Sequence, residues 1–211
     1  MARYTDSSCR LCRREMQKLF LKGAKCTMEK CPVSRRAFPP GQHGANQIRK
    51  KVSNYGVQLR EKQKVKRIYG VLEKQFRHYF RMAERAKGVT GITLLQLLER
   101  RLDNVIFRMN LASSRQEARQ AVQHGLVYVN SKRVDIPAFT VKLGDEVSLK
   151  AKKEPMTKRV KENLETFKDR AVPKWLAPVP NEFKAKVVAI PTKEDVGFPI
   201  QEQLIVELYS K

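Results

Sequence analysis

Acid is what this 211-residue chain most lacks: 21 Asp and Glu stand against 44 Lys and Arg, leaving a formal charge of +23. A merely well-solvated surface mixes both signs at modest net charge, so the imbalance implies a polyanion that neutralises it. Nucleic acid comes first and an anionic membrane surface a distant second. Long apolar runs are also missing. The longest, Leu94-Leu95 with Leu97-Leu98 and Val187 to Ile190, fall far short of the roughly 18–20 residues a spanning helix needs. The opening MARYTDSSCR holds no apolar segment of the secretory type, so a cytosolic setting with reduced thiols is expected. Catalytic signatures are absent too. There is no GxGxxG, no GKS or GKT and no GxSxG, and His43, His78 and His124 fall on separate elements without a nucleophile pattern nearby. A non-enzyme is expected, with no small-molecule substrate and no membrane partner. A helix-turn-helix regulator fits poorly, because the candidate recognition helix feeds a hairpin and no dimer signal is present.

Cysteine is absent everywhere except in SCRLCRREMQKLFLKGAKCTMEKC, residues 8–31. Two residues separate Cys9 from Cys12, thirteen separate Cys12 from Cys26, and four separate Cys26 from Cys31. In a reducing compartment such close pairs suit one structural zinc ion, gripped from two sides by four thiolates with no position left for water. An iron–sulfur cluster or redox pair is the next reading, and disulfides the last. The residues between the pairs read as a short helix ending at Gly23, so the metal would anchor a helical knuckle.

The basic charge is uneven. Residues 1–101 carry 25 basic and 7 acidic groups, net +18, and residues 102–211 carry 19 and 14, net +5. From Pro32 to Lys51 the chain is rich in Pro, Gly and basic residues and has no sustained period. It reads as an extended arm whose Arg35, Arg36, Arg49, Lys50 and Lys51 spread along a phosphate backbone. Ser53 then opens a helix stopped at Gly70. A second helix, about 72–87, sets Phe76, Tyr79, Phe80 and Ala83 on one apolar face, where they read as core rather than as base-stacking platforms.

From Ile92 the character changes. Leu94, Leu98, Leu102, Val105, Ile106 and Met109 form one helical stripe. Ser114 and Glu117 form a capping box for the next helix, which Gly125 ends. Ala118, Ala121 and Val122 are expected to face inward, and Arg115 and Arg119 to form a comb on the exposed face, beside the positive helix N-terminus, as a phosphate clamp. His124 reads as an RNA or capping contact. LVYVNSKRV reads as two strands about a two-residue turn at Asn130-Ser131, and FTVKLGDEVSL as strand, turn, strand. Residues 152–170 read as helical and PKWLAPVPNEF as a linker whose Trp175 anchors at a domain surface. FKAKVVAI reads as a strand. A final short helix places Ile200, Leu204, Ile205 and Leu208 on one face. No internal repeat or low-complexity tract is present.

SRQEARQAVQHGLVYVNSKRVDIPAFTVKLGDEV resembles the alpha-L RNA-binding module. With PPGQHG, LREKQK, IYGVLEKQF, LLERRLDNVIFR and PIQEQLIVELYSK in order, nearly the whole chain resembles the small-ribosomal-subunit protein four family, and the cysteines its zinc-bearing bacterial branch. The resemblance implies an α+β fold: a mostly helical domain with an inserted alpha-L module of two helices and a small twisted sheet, plus an N-terminal zinc knuckle. The expected organisation is 1–45 knuckle and arm, 46–95 helical domain, 96–170 alpha-L module, and 171–211 a C-terminal segment packing on the helical domain. It further implies a structural component that binds 16S rRNA as a primary binder and nucleates assembly of the subunit body. Neighbouring small-subunit proteins, protein five among them, become expected partners, as does mRNA where it enters its channel, with effects on decoding accuracy. An RNA-modifying enzyme or regulator carrying the module is the alternative. The RNA-binding set expected on all these grounds is Arg35, Arg36, His43, Arg49, Lys50, Lys51, Arg60, Lys62, Lys64, Arg67, Arg101, Arg115, Arg119, His124, Asn130, Lys132 and Arg133, with zinc on Cys9, Cys12, Cys26 and Cys31. A departure from the family pattern is the turn, usually Asn-Gly and here Asn130-Ser131, where a serine at positive φ costs on the order of 1 kcal/mol.

Overall fold

A computed structural model describes residues 3–47, 51–150, 154–179 and 182–210. The chain forms two compact units, Met1–Gly91 with Phe198–Lys211, and Ile92–Gly197.

The first unit is helical. After α1 (Ser8–Arg14), α2 (Pro32–Arg35) and α3 (Gly44–Gln47) come the long α4 (Asn54–Ile68) and α5 (Glu73–Arg85). Ser53 starts α4 as expected, its Oγ accepting from the Gly56 N–H at 3.2 Å. Gly70, at φ +63°, lets the chain turn away after it. Gln58, Lys62, Val65 and Ile68 recur on the buried side of α4, and Phe76, Tyr79, Phe80 and Ala83 on that of α5. Each large apolar side chain so buried contributes about 1.5–3 kcal/mol. The tail closes this unit: α10 (Glu202–Tyr209; α6 to α9 belong to the second unit) packs on α4 and buries Ile205. The Tyr209 ring stacks on Phe80 at 4.5 Å, and Gln58 Nε2 donates to Glu207 at 2.8 Å.

Two expectations fail in this unit. The helix after Cys9 ends at Arg14 rather than Gly23, and Met16 and Phe20 take positive φ. Leu19 and Leu21 are both buried; two residues apart on a helix they would point to opposite sides, and leaving the helix lets both turn inward. The arm is not extended either. It holds the short helices α2 and α3, and Arg13 fastens it by donating to the Phe38 carbonyl at 3.0 Å while its guanidinium lies 4.7 Å over the Phe38 ring. At Gly44 a Cβ would fall 1.9 Å from the Pro39 carbonyl oxygen, so only glycine permits this return.

The second unit contains α6 (Thr90–Glu99, which begins just before the boundary), α7 (Leu102–Arg108), α8 (Arg115–Gln123) and α9 (Glu154–Thr166) beside an antiparallel sheet of five strands among the described residues. The strands are β1 (Val127–Val129), β2 (Lys132–Arg133), β3 (Glu146–Leu149), β4 (Leu176–Pro178) and β5 (Lys184–Val187), in spatial order β2-β1-β3-β5-β4. Register runs through Val129 opposite Lys132, Val129 opposite Val147, Val147 opposite Ala185 and Leu176 opposite Val187. Leu102, Ile106, Ala118, Val122, Val127, Val147 and Trp175 belong to one core.

Three differences from the sequence reading have physical causes. The stripe from Leu94 to Met109 breaks into α6 and α7, because Arg101 bridges to Thr140: the Leu102 N–H donates to the Phe139 carbonyl at 2.8 Å and the Val141 N–H to the Arg100 carbonyl at 2.9 Å. FTVKL is thus a bridge, not a strand. Residues 176–178, read as linker, form β4, and with the strand expected in FKAKVVAI, which is β5, they extend this sheet, so this stretch belongs to the second unit rather than to the helical domain. Trp175, only 1 % exposed, is a core residue rather than a surface anchor.

Candidate nucleic-acid interface

The β1–β2 turn is built from two left-handed residues, Asn130 at φ 49° and Ser131 at φ 65°. The two-residue hairpin therefore survives the missing glycine. Asn130 accounts for this: its Oδ1 accepts from the Glu146 N–H at 2.9 Å and its Nδ2 donates to Asp145 at 2.8 Å, tying the turn to the start of β3. The turn thrusts Lys132 and Arg133 into solvent. Arg133 lies across the C-terminal end of α8, so close that a Cβ on Gly125 would fall 2.0 Å from its guanidinium. A cation suits that end of a helix, and Gly125 takes the left-handed φ of +68° that ends it. Tyr128 stands opposite Arg133 in register, and Lys150 Nζ sits 4.4 Å over the Tyr128 ring. Arg133 and Lys150 thus accompany the Tyr128 ring, and Lys132 on β2 and His124 at the α8 terminus are also exposed, so the hairpin end of the unit is basic.

Other expected contacts point elsewhere. Arg115 and Arg119 are not an exposed comb; they are 8 % and 6 % exposed and share the buried face of α8 with Ala118 and Val122. Arg115 Nε donates to Asn104 Oδ1 at 2.8 Å and its guanidinium stacks 4.3 Å over Phe107. Arg119 lies 3.7 Å from the Asp103 carboxylate, which also takes a two-pronged pair from fully buried Arg101 at 3.0 and 2.5 Å. Burial of these arginines is possible because α7 brings acceptors to meet them. The capping box is altered in the same region: Ser114 Oγ accepts from the Glu117 N–H at 3.3 Å, but the Glu117 carboxylate reaches Ser113 N–H rather than that of Ser114.

On α4, Lys62 is buried against Glu73 at 2.9 Å, Lys64 pairs with Glu61 at 2.7 Å, and Arg60 and Arg67 both pair with Glu15. These side chains brace the helical unit. Arg35, Arg36, His43 and Lys51 are exposed, whereas Arg49 and Lys50 lie outside the described residues. Sequence reasoning missed a second basic surface: Lys74, Arg77, His78, Arg81 and Arg85 are all exposed on α5. Their three- and four-residue spacing, opposite Phe76, Tyr79 and Phe80, was the available signal.

The four cysteines border a single cavity of about 10 Å³, together with Leu21 and Pro32. None is in a disulfide. Burial pushes the Cys12 thiol up to about 11, with the neighbouring cysteines adding to the rise, and burial likewise raises Cys26. Crowded thiols of this kind are the donor set for a soft dication, which would replace their mutual repulsion with attraction. Among the described residues no three His, Cys, Asp or Glu side chains stand arranged to hold a metal ion as they are. The donor chemistry of four free thiols fits zinc.

Residues 3–99 match the family described as the ribosomal protein S4/S9 N-terminal domain, and residues 100–147 match the S4 domain. The class is thereby defined: a ribosomal S4-type chain in which α7, α8 and the hairpin make up the RNA-binding module. Full-length similarity is high, at 58 % identity to small ribosomal subunit protein uS4 of Acetivibrio thermocellus, 57 % to that of Citrifermentans bemidjiense and 58 % to that of Geotalea daltonii, each over 211 residues and the whole of both chains. The chain belongs to the small ribosomal subunit protein uS4 family.

Proposed function

We propose that this protein is a structural, non-catalytic component of the small ribosomal subunit in the cytoplasm, held there by rRNA and by neighbouring ribosomal proteins. The carrying observation is full-length identity of 57–58 % to proteins named small ribosomal subunit protein uS4. The charge of +23 and the basic rim at the hairpin support the same reading. A-form grooves hide base edges, so such a surface reads backbone shape through phosphate contacts. The finer role proposed is that of a primary 16S rRNA binder that nucleates assembly, touches protein five and borders the path by which mRNA enters. An RNA-modifying enzyme is disfavoured by relatives that are ribosomal proteins over their whole length. Zinc on Cys9, Cys12, Cys26 and Cys31 is proposed as a structural ion that fastens the N-terminal segment. Sedimentation of lysate tests the main reading. The chain should travel with the small subunit at stoichiometric amount, and its confinement to free-protein fractions would overturn the assignment.

A further inference from the structure

Buried arginines of the second unit have side-chain acceptors. Arg101 and Arg119 share Asp103, Arg108 holds Glu99 in a two-pronged pair at 3.0 and 2.6 Å, and Arg115 donates to Asn104. Arg170, which follows α9 in the chain, departs from this pattern. Its half-buried guanidinium lies 4.3 Å from the ring centroids of both Phe107 and Phe167, yet among the described residues it forms no ion pair. Asp169, its exposed neighbour in sequence, does not turn back to it. The acceptor it reaches is the Phe107 carbonyl in the last turn of α7, at 3.5 Å, the outer limit of a hydrogen bond and enough for one of its N–H donors. Burial, with the nearby charge of Arg108 adding to it, lowers its pKa from 12.5 to about 10. The cation is thus partly stripped of water with no acid in return, which costs free energy in the isolated protein. Its backbone is held in place: the Arg170 N–H donates to the Phe167 carbonyl at 3.0 Å, and its own carbonyl accepts from Asn110 Nδ2 at 2.8 Å.

We propose that Arg170 is a preset receptor for one phosphate of the bound rRNA. This rests on the function proposed above and adds a contact that lies outside the hairpin. Rings packed against the guanidinium fix its plane and leave its N–H edge for the anion, and that edge meets two phosphate oxygens at once. Where water is already partly excluded, the attraction between cation and phosphate is stronger than at an open surface. A purely structural role is the competing account, with the cation capping the carbonyl end of α7, where positive charge is favoured. That role uses a single N–H, leaves the rest of the edge idle, and adds nothing salt-dependent to RNA binding. A carboxylate on a neighbouring protein would also neutralise Arg170. Phosphate is favoured because the chain carries +23 and a polyanion must answer most of that charge.

Filter binding of the full chain to its own 16S rRNA at several salt concentrations provides the test. Arg170→Ala should weaken binding about fivefold and lower the salt slope by about one, the share of a single phosphate. Arg170→Lys should restore the slope but only part of the affinity, since lysine keeps the charge without the fork. Phe167→Leu should weaken binding about twofold with the slope unchanged, because the charge stays and only its fixed orientation is lost. Trp175 fluorescence in urea controls for folding of the unit. Should Arg170→Ala be unstable, Arg170→Gln keeps a donor for the Phe107 carbonyl and must show the same loss of slope. A slope equal to wild type in the folded alanine or glutamine variant would overturn the proposal, whatever happens to stability. So would a photo-crosslinking residue placed at the exposed Ala171 position that captures a neighbouring protein instead of rRNA in assembled subunits. Failure of the wild type to bind 16S rRNA is a different result, and it removes the functional reading along with this contact.

Discussion

Replacing Asp103 with Asn should cost the second unit about 3–5 kcal/mol, the usual consequence of stripping a buried ion pair of one partner. Asp103 is 3 % exposed; Arg101, its two-pronged partner, is fully buried, and Arg119 stands 3.7 Å away. Two cations therefore share this one carboxylate. A unit-charge pair at such distances is worth about 4 kcal/mol at an effective dielectric constant of about 20, which agrees with the range above. Asparagine keeps the shape but loses the charge, and its amide can turn donor hydrogens toward the guanidinium groups. The chain's single tryptophan, Trp175, sits in the core of this same unit, so its fluorescence reports the relevant unfolding. With a urea m-value of about 1–3 kcal/mol/M, the midpoint should fall by roughly 1–5 M. Arg101→Met with Asp103→Leu should recover part of that loss, because the double change leaves one guanidinium, that of Arg119, without the Asp103 carboxylate instead of two. A midpoint for Asp103→Asn within 0.3 M of wild type, on the order of 0.5 kcal/mol, would refute the claim that these arginines are structural.

Glu73 gives a pH signature. Burial raises its pKa, but hydrogen bonds from Lys62, Lys66 and Tyr209 outweigh that and hold it at about 2, below the ordinary 4.5. Since the folded value is the lower, its stabilisation is present above about 4.5 and is lost as pH falls toward 2; Glu73→Gln should cost roughly 1–2 kcal/mol at neutral pH after allowance for solvent screening, converging with wild type in acid. Melting curves from pH 7 to 2.5 check this, and a constant difference would refute it. Chain prepared without chelator should carry one zinc by metal analysis, and Cys26→Ser should release it while α4 and α5 stay folded; iron, or two disulfides, would contradict the proposal. Lys132→Ala with Arg133→Ala should leave the fold intact and lower both rRNA affinity and the salt slope by about one to two units, measured by filter binding at several salt concentrations.

Much of the fold was legible where one local rule decided it. Ser53 and Gly70 bound α4 through cap chemistry, the period of Phe76, Tyr79, Phe80 and Ala83 gave the buried face of α5, and Asn130-Ser131 turned the hairpin. Legibility failed where the deciding partner was distant. Arg115 and Arg119 occupy the same stripe as Ala118 and Val122, and the spacing alone argued for burial; charge argued against it, and only Asp103 and Asn104 on α7 reverse that balance. β4 read as linker because of its prolines. Pro178 is tolerated because β4 is an edge strand, where one side of the backbone needs no ladder partner. The basic face of α5 was legible in the same period, Lys74, Arg77, Arg81 and Arg85 falling opposite the buried aromatic positions.

Direct titration of the purified chain against 16S rRNA from its own organism, with an equal-length 23S fragment as competitor at near-physiological salt, tests the central claim. The account requires binding to 16S rRNA at least a thousandfold tighter than to the competitor, at the lower edge of what specific recognition adds to non-specific phosphate attraction. Equal affinity for both RNAs would mean that the charge of +23 acts without recognition, and would contradict assignment to the small subunit.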